Sequence, residues 1–164
     1  MSIAILTVGG TIDKDYFDAL SEYQITESPI HELLHTFNVN FEYNVIPVMK
    51  KDSLDMTDED RDNLKSLINQ LDQQQVLITH GTDTMAQTAK VLADIENKTI
   101  ILTGAMKPAR FKDTDAIFNI GFALGALRVL TEGVYIAMNG EVFKPENVIK
   151  NRAEHRFETV HQPI

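Results

Sequence analysis

Five short apolar runs, rich in β-branched residues and each followed by a polar or glycine-bearing loop, constrain this chain more than any other feature. They lie at 3–8, 43–48, 75–79, 99–103 and 134–138. Continuous apolar runs of this length suit strands covered on both faces. Helix-like segments separate them. Residues 28–37 open with Ser28-Pro29, an N-cap and first-turn pair. Residues 57–71 open with Thr57-Asp58-Glu59-Asp60 and place Leu64, Leu67, Ile68 and Leu71 on one face. Residues 83–95 follow His80-Gly81, and residues 116–130 form the most apolar helix, with Gly121 and Gly125 one turn apart where a neighbour has room to pack closely. Residues 141–143 are expected to form a final hairpin with the fifth strand. Strand and helix alternating through short connections predicts an α/β domain, with a Rossmann-like or flavodoxin-like parallel sheet and helices on both faces.

Composition narrows the function. The 164 residues are enough for one domain with a real core, and 43% hydrophobic against 24% charged content is ordinary for a globular chain. A net charge of −9 argues against a nucleic-acid or anionic-membrane partner, which would call for clustered Lys and Arg. With no cysteine there is no disulfide, thiolate nucleophile or Cys-based metal site. The amino terminus lacks a basic segment and a long apolar core, and the uncharged stretch 116–127 is too short to span a bilayer. A cytoplasmic protein with neither nucleic-acid nor membrane partners is expected.

Ligands of parallel sheets bind beyond the carboxyl ends of the strands, so the loops there are the place to look for chemistry. They carry Gly9-Gly10-Thr11-Ile12 after the first strand and Lys51-Asp52-Ser53-Leu54-Asp55-Met56 after the second. His80-Gly81-Thr82-Asp83-Thr84 follows the third, and Gly104-Ala105-Met106-Lys107-Pro108 the fourth. Hydroxyls, a carboxylate and helix-mouth amides suit acyl transfer better than phosphate chemistry. Threonine needs a base or proton path to act as a nucleophile, and Lys150 is a candidate. Singly, each residue has a plainer explanation: Gly-Gly-Thr as a turn, Thr82 and Thr84 as caps, Ser53 and Asp55 as turn residues, Lys150 as a surface lysine. Only their joint occurrence favours a site.

These blocks, with Phe118-Asn119, Ala137-Met138-Asn139 and Val148-Ile149-Lys150, resemble in order the signatures of bacterial-type L-asparaginases. The resemblance runs from Ile3 to about Phe157. It implies that Thr11 attacks the side-chain amide of asparagine and carries the aspartyl group. Thr82, Asp83 and Lys150 form a second triad, in which Lys150 manages protons at the Thr82 hydroxyl. Asp83 orients the lysine and binds the substrate α-amino group. Ser53 holds the α-carboxylate, the Ala105 carbonyl receives the departing nitrogen, and Gly10 and Thr82 also line the substrate site. A lid tyrosine packs on the nucleophile; within the lid, residues 13–24, Tyr23 is favoured over Tyr16 by spacing. The family needs no metal and no organic cofactor. It assembles homodimers or homotetramers, for which the helix at 116–130 and the carboxyl-terminal segment are the expected shared surfaces.

The match has departures. Residues 1–164 correspond to a single asparaginase amino-terminal-like domain, and the family's second, carboxyl-terminal domain is absent from this sequence. Leu54 stands where many members carry a polar residue, and Val8 replaces a threonine. An amino-acid-binding or regulatory module with little turnover, or an amidase for another amide, is the competing reading. A dinucleotide-binding domain fits less well, because Gly9-Gly10-Thr11 lacks the spaced third glycine. His31, His35, His155 and His161 show no metal-ligand set, His80 reads as an ordered loop residue rather than a general base, Asp58 to Asp62 as an acidic helix face, and Arg152 and Arg156 as a solvated tail or subunit contact.

Overall fold

The computed structural model describes residues 1–17 and 19–160. Asp18 of the lid and His161 lie outside them. A six-stranded sheet is built from β1 (Ile3–Gly9), β4 (Tyr43–Lys51), β5 (Gln75–Thr79), β6 (Thr99–Thr103), β7 (Gly133–Met138) and β8 (Glu141–Phe143). Its order is β4-β1-β5-β6-β7-β8. The first five are parallel and β8 is antiparallel to β7, pairing Ile136 with Phe143, as the expected hairpin requires. Counting only the parallel strands, the order is 2-1-3-4-5, the flavodoxin-like arrangement. Pro47 is accommodated because β4 is an edge strand, where a missing backbone donor costs little.

Side-chain alternation divides β1 between two cores. Ala4, Leu6 and Val8 face a layer with Leu64 and Ile68 of α2 (Asp58–Gln70) and with Met85, Ala89 and Leu92 of α3 (Met85–Leu92). Ile3 and Ile5 face Ile30 and Leu34 of α1 (Ile30–Thr36) and the buried row of α4 (Ala116–Val129). Helices therefore cover both faces, as the alternation of elements predicts. The start of α2 is set by a capping box: Thr57 Oγ1 accepts from Asp60 N, and Asp60 Oδ2 accepts from Thr57 N. Lys51, at the end of β4, also bonds Asp60, and this contact, followed by the amide bond from Thr57, holds the carboxyl down to about 2.

Several boundaries differ from the sequence expectation. Helix α1 begins at Ile30 with Pro29 as its N-cap, and Ser28 Oγ accepts only a long bond from Ile30 N at 3.4 Å. Helix α3 begins at Met85 rather than residue 83. The Thr84 hydroxyl is turned away to the Ser53 carbonyl instead of capping the helix, which leaves Asp83 and Thr84 in the loop. The lid is a β-hairpin of β2 (Lys14–Phe17) and β3 (Glu22–Ile25), with Tyr16 opposite Tyr23. A second hairpin, β9 (Val148–Asn151) and β10 (Arg156–Thr159), was not foreseen as secondary structure. Val148 and Phe157 bury themselves in the α2/α3 core and anchor it.

Candidate active site

At the carboxyl ends of the strands, glycine lets three loops touch. Gly10 has φ +86°, and a Cβ there would lie 2.4 Å from Gly81 Cα and N. A Cβ on Gly81 would lie 2.7 Å from Ser53 Cβ. The loops carrying Thr11 and Thr82 thus meet backbone to backbone, and the Ser53 side chain closes on Gly81, distances no larger residue permits at either glycine. In this strand order β1 and β5 flank the switch point of the sheet, where the connections depart in opposite directions and open a crevice. Thr11 leaves one side of it, in a 3-10 turn (Thr11–Asp13), and Thr82 the other.

Lys150 joins this cluster from the β9–β10 hairpin. Its Nζ donates to Thr82 Oγ1 at 2.7 Å and to Asp83 Oδ1 at 2.9 Å. The hairpin is held by a relay of amides. Phe157 N donates to Asn139 Oδ1 (2.9 Å), Asn139 N to Asn119 Oδ1 (3.2 Å), and Asn119 Nδ2 to the Gly104 carbonyl (3.0 Å). Asn119 and Asn139 therefore tie the end of β7 and the loop after β6 to the hairpin that delivers Lys150. In that loop, Asp115 accepts from the amides of Met106 and Lys107, and Ala105 is buried.

Beneath the loops runs a polar layer that sequence reasoning missed. Arg61 is fully buried on α2 and donates to Thr88 Oγ1, the Met56 carbonyl and Thr84 Oγ1. The Thr84 hydroxyl donates to the Ser53 carbonyl at 2.7 Å, while Ser53 Oγ accepts from Thr84 N at 3.3 Å. Ser53 is buried and fastened, more than an ordinary turn residue. The sequence signal for Arg61 was present but faint: an arginine among the apolar positions of α2, one turn before Leu64. His80 bonds the Gly81 carbonyl (2.6 Å) and Thr88 Oγ1 (2.8 Å) and is pushed down to about 4, chiefly by burial. It is an ordered loop residue, as read from the sequence.

Two expectations require correction or refinement. Arg152 is not merely part of a solvated tail, because its Nη2 lies 3.1 Å from Asp83 Oδ1, alongside Lys150. Arg156 does stay outside, paired with Glu158. On the lid, Tyr23 stacks at a tilt on Tyr16 (5.2 Å between centroids) and on Phe111 (5.6 Å), so the two lid tyrosines form one aromatic patch. Asp13, at the foot of the lid, is 2% exposed, and its Oδ1 lacks a hydrogen-bond partner among the described residues. Its backbone carbonyl accepts from both the amide and the hydroxyl of Thr26, closing the base of the hairpin.

Fold and site together define a doubly wound α/β domain of flavodoxin-like order, with a hydroxyl–lysine–carboxylate cluster at its switch point. Comparison with known proteins places it further. Residues 2–163 match the family model "Asparaginase, N-terminal", and the chain belongs to the asparaginase family. A relative in Haemophilus influenzae, named "Probable L-asparaginase periplasmic", is 32% identical over 99% of this chain and 49% of its own. The "Glutaminase-asparaginase" of Acinetobacter glutaminasificans is 28% identical over 98% of this chain and 53% of its own. The solved structure of the probable cytoplasmic L-asparaginase from Campylobacter jejuni superposes with a TM-score of 0.82 at 27% identity, covering 96% of this chain and 51% of that one. The chain spans about half the length of the relatives it matches.

Proposed function

We propose that this chain is an amidohydrolase that converts L-asparagine to L-aspartate and ammonia. The observation that carries this reading is the Thr82–Lys150–Asp83 cluster, with Nζ on both partners within 2.9 Å, facing the Thr11 loop across the Gly10–Gly81 contact. In the proposed reaction Thr11 Oγ bonds to the amide carbon as its proton passes toward the Thr82–Lys150 pair. The C–N bond then breaks as that proton is handed on to the nitrogen, which leaves as ammonia past the Ala105 carbonyl. Water next attacks the ester carbon, and as one of its protons passes back to Thr11 Oγ the Thr11–acyl bond breaks to release aspartate. Ser53, resting on the Thr84 amide, holds the substrate α-carboxylate beside Gly10 and Thr82, and Asp83 holds the α-ammonium. Tyr23 closes over Thr11 from the lid. The family match over residues 2–163 supports the amidohydrolase reading, and the individual roles are those that the resemblance of the sequence motifs implies.

The reading extends to context. We infer a cytoplasmic enzyme that needs no metal or organic cofactor and acts as a homodimer or homotetramer through the exposed face of α4. No helix among the described residues is long and apolar enough to cross a membrane.

Ammonia release from asparagine and glutamine, measured side by side, tests the activity. Turnover by the wild type is expected to fall at least about a thousandfold in Thr11→Ala, the scale of losing a nucleophile. No turnover by the wild type, or unchanged turnover in the variant, would sink the proposal. Asparagine binding without turnover would instead identify a binding module.

A further inference from the structure

The cluster at Asp83 holds one charge more than the proposed reaction uses. Lys150 and Arg152 both come from the edge of the second hairpin. Lys150 lies in β9 and Arg152 in the turn that follows it, and both side chains turn toward Asp83. Both reach Asp83 Oδ1, at 2.9 Å and 3.1 Å. Asn151, between them, points elsewhere. It bonds Glu158 through Nδ2 and accepts the Glu154 amide, shaping the turn from which Arg152 extends. The Asp83 side chain is 24% exposed and that of Arg152 is 68% exposed, so the guanidinium closes the solvent side of the carboxylate.

We propose that Arg152 is a specificity-determining residue that competes with the substrate α-ammonium for Asp83, favouring β-carboxamide acids that lack this ammonium. The proposal rests on the reading of Asp83 as the ammonium acceptor. Asparagine brings a third cation to a carboxylate already shared by two, and must displace the guanidinium or bind against its charge. Succinamate, the same skeleton with hydrogen in place of the ammonium, leaves the Arg152–Asp83 pair intact. Its carboxylate and amide reach the same partners. Lys150 is held by Thr82 as well as Asp83 and does not yield, so Arg152 is the cation whose presence sets the preference.

The test is kcat/KM for asparagine divided by that for succinamate, measured by ammonia release. Arg152→Ala and Arg152→Gln should each raise this ratio at least about fivefold, mainly through a lower KM for asparagine. Arg152→Lys should keep it close to wild type by preserving the charge. Raising the ionic strength to roughly 0.5 M should move the wild-type ratio toward that of Arg152→Ala, because the pair is exposed to screening. Ratios within twofold of wild type in both neutral variants, with turnover intact, overturn this role for Arg152 and leave the amidohydrolase reading standing. No ammonia from either amide with the wild type overturns the amidohydrolase reading and this inference with it.

Discussion

At the residue scale, two buried ionisable groups oppose each other in acid. Burial raises the Asp13 carboxyl to about 6, against smaller lowering effects from Ser28 and Arg110 and a small raising effect from Glu27. The native state therefore holds a proton on Asp13 where the unfolded chain, near its ordinary 3.8, has released it. Stability from this group is present at low pH and is lost as pH rises through about 6. His80 behaves in the opposite sense. Its native value near 4 lies below the ordinary 6.5, so its neutral form favours folding at high pH and this contribution fades as pH falls from 6.5 toward 4. Each shift corresponds to an effect on the order of 3 kcal/mol, so the two largely cancel between about pH 4 and 6. Asp13→Asn removes one side of that balance. Its melting temperature should exceed wild type at pH 7 to 8 and climb visibly from pH 4 to 6.5, where the wild-type curve is flatter. Parallel curves for the two proteins in thermal unfolding would refute the assignment. The titration of Asp13 was not legible in the sequence. Asp13 reads as a lid residue, and only its burial at the foot of the lid hairpin, where its carbonyl binds Thr26, shows that its carboxyl is dry.

At the element scale, the site depends on how closely the strand-end loops approach. Gly10 combines a positive φ with backbone contact to Gly81, so Gly10→Ala introduces both strain and overlap. Such a change costs more than about 1 kcal/mol from the backbone conformation alone. It should also separate the Thr11 and Thr82 loops. We expect a lower melting temperature and at least about a hundredfold loss of amide hydrolysis, the order seen when reacting groups are misplaced by an ångström. Wild-type turnover in Gly10→Ala would show that the approach of these loops is not needed. The strands and helices that carry the loops were largely readable, because apolar runs and capping residues act locally. The second hairpin was not. Phe157 and Val148 give it two buried anchors, but β9 and β10 are four residues each, with Lys150 in the first and Arg156 and Glu158 alternating in the second, a pattern that a solvated tail shares.

At the scale of the whole molecule, α4 leaves an apolar face open. Ile117 and Phe118 are exposed, and a Cβ on Gly121 or Gly125 would meet nothing within 4 Å. The neighbouring groove takes in Leu33, Phe37, Ile120 and Leu124. The close packing suggested by the two glycines is thus not made among the described residues, and their openness suits a second copy. The wild type is expected to self-associate at micromolar concentration in sedimentation equilibrium. Phe118→Asp, placing a charge on this face, should weaken association at least about tenfold. A monomeric wild type would remove α4 as a shared surface.

Thr11 and Thr82 follow strand ends because local chemistry puts them there. β-branched runs make strands, glycine ends them, and a hydroxyl or acid follows; all of this is written in neighbouring residues. From the sequence alone came the alternating α/β order, the parallel sheet, the five strands, the capped α2 and the family motifs that single out Thr11, Ser53, Thr82, Asp83 and Lys150. The tertiary structure decided the relations between distant segments. It brings Lys150 to Thr82 across 68 positions of chain, sets Arg61 beneath Ser53 and Thr84, and adds Arg152 to Asp83. Such contacts depend on the register of a hairpin and the packing of two asparagines. Charge and spacing along the chain do not encode them, since an arginine in a polar stretch has the same local signature whether it meets solvent alone or the carboxylate of a distant residue.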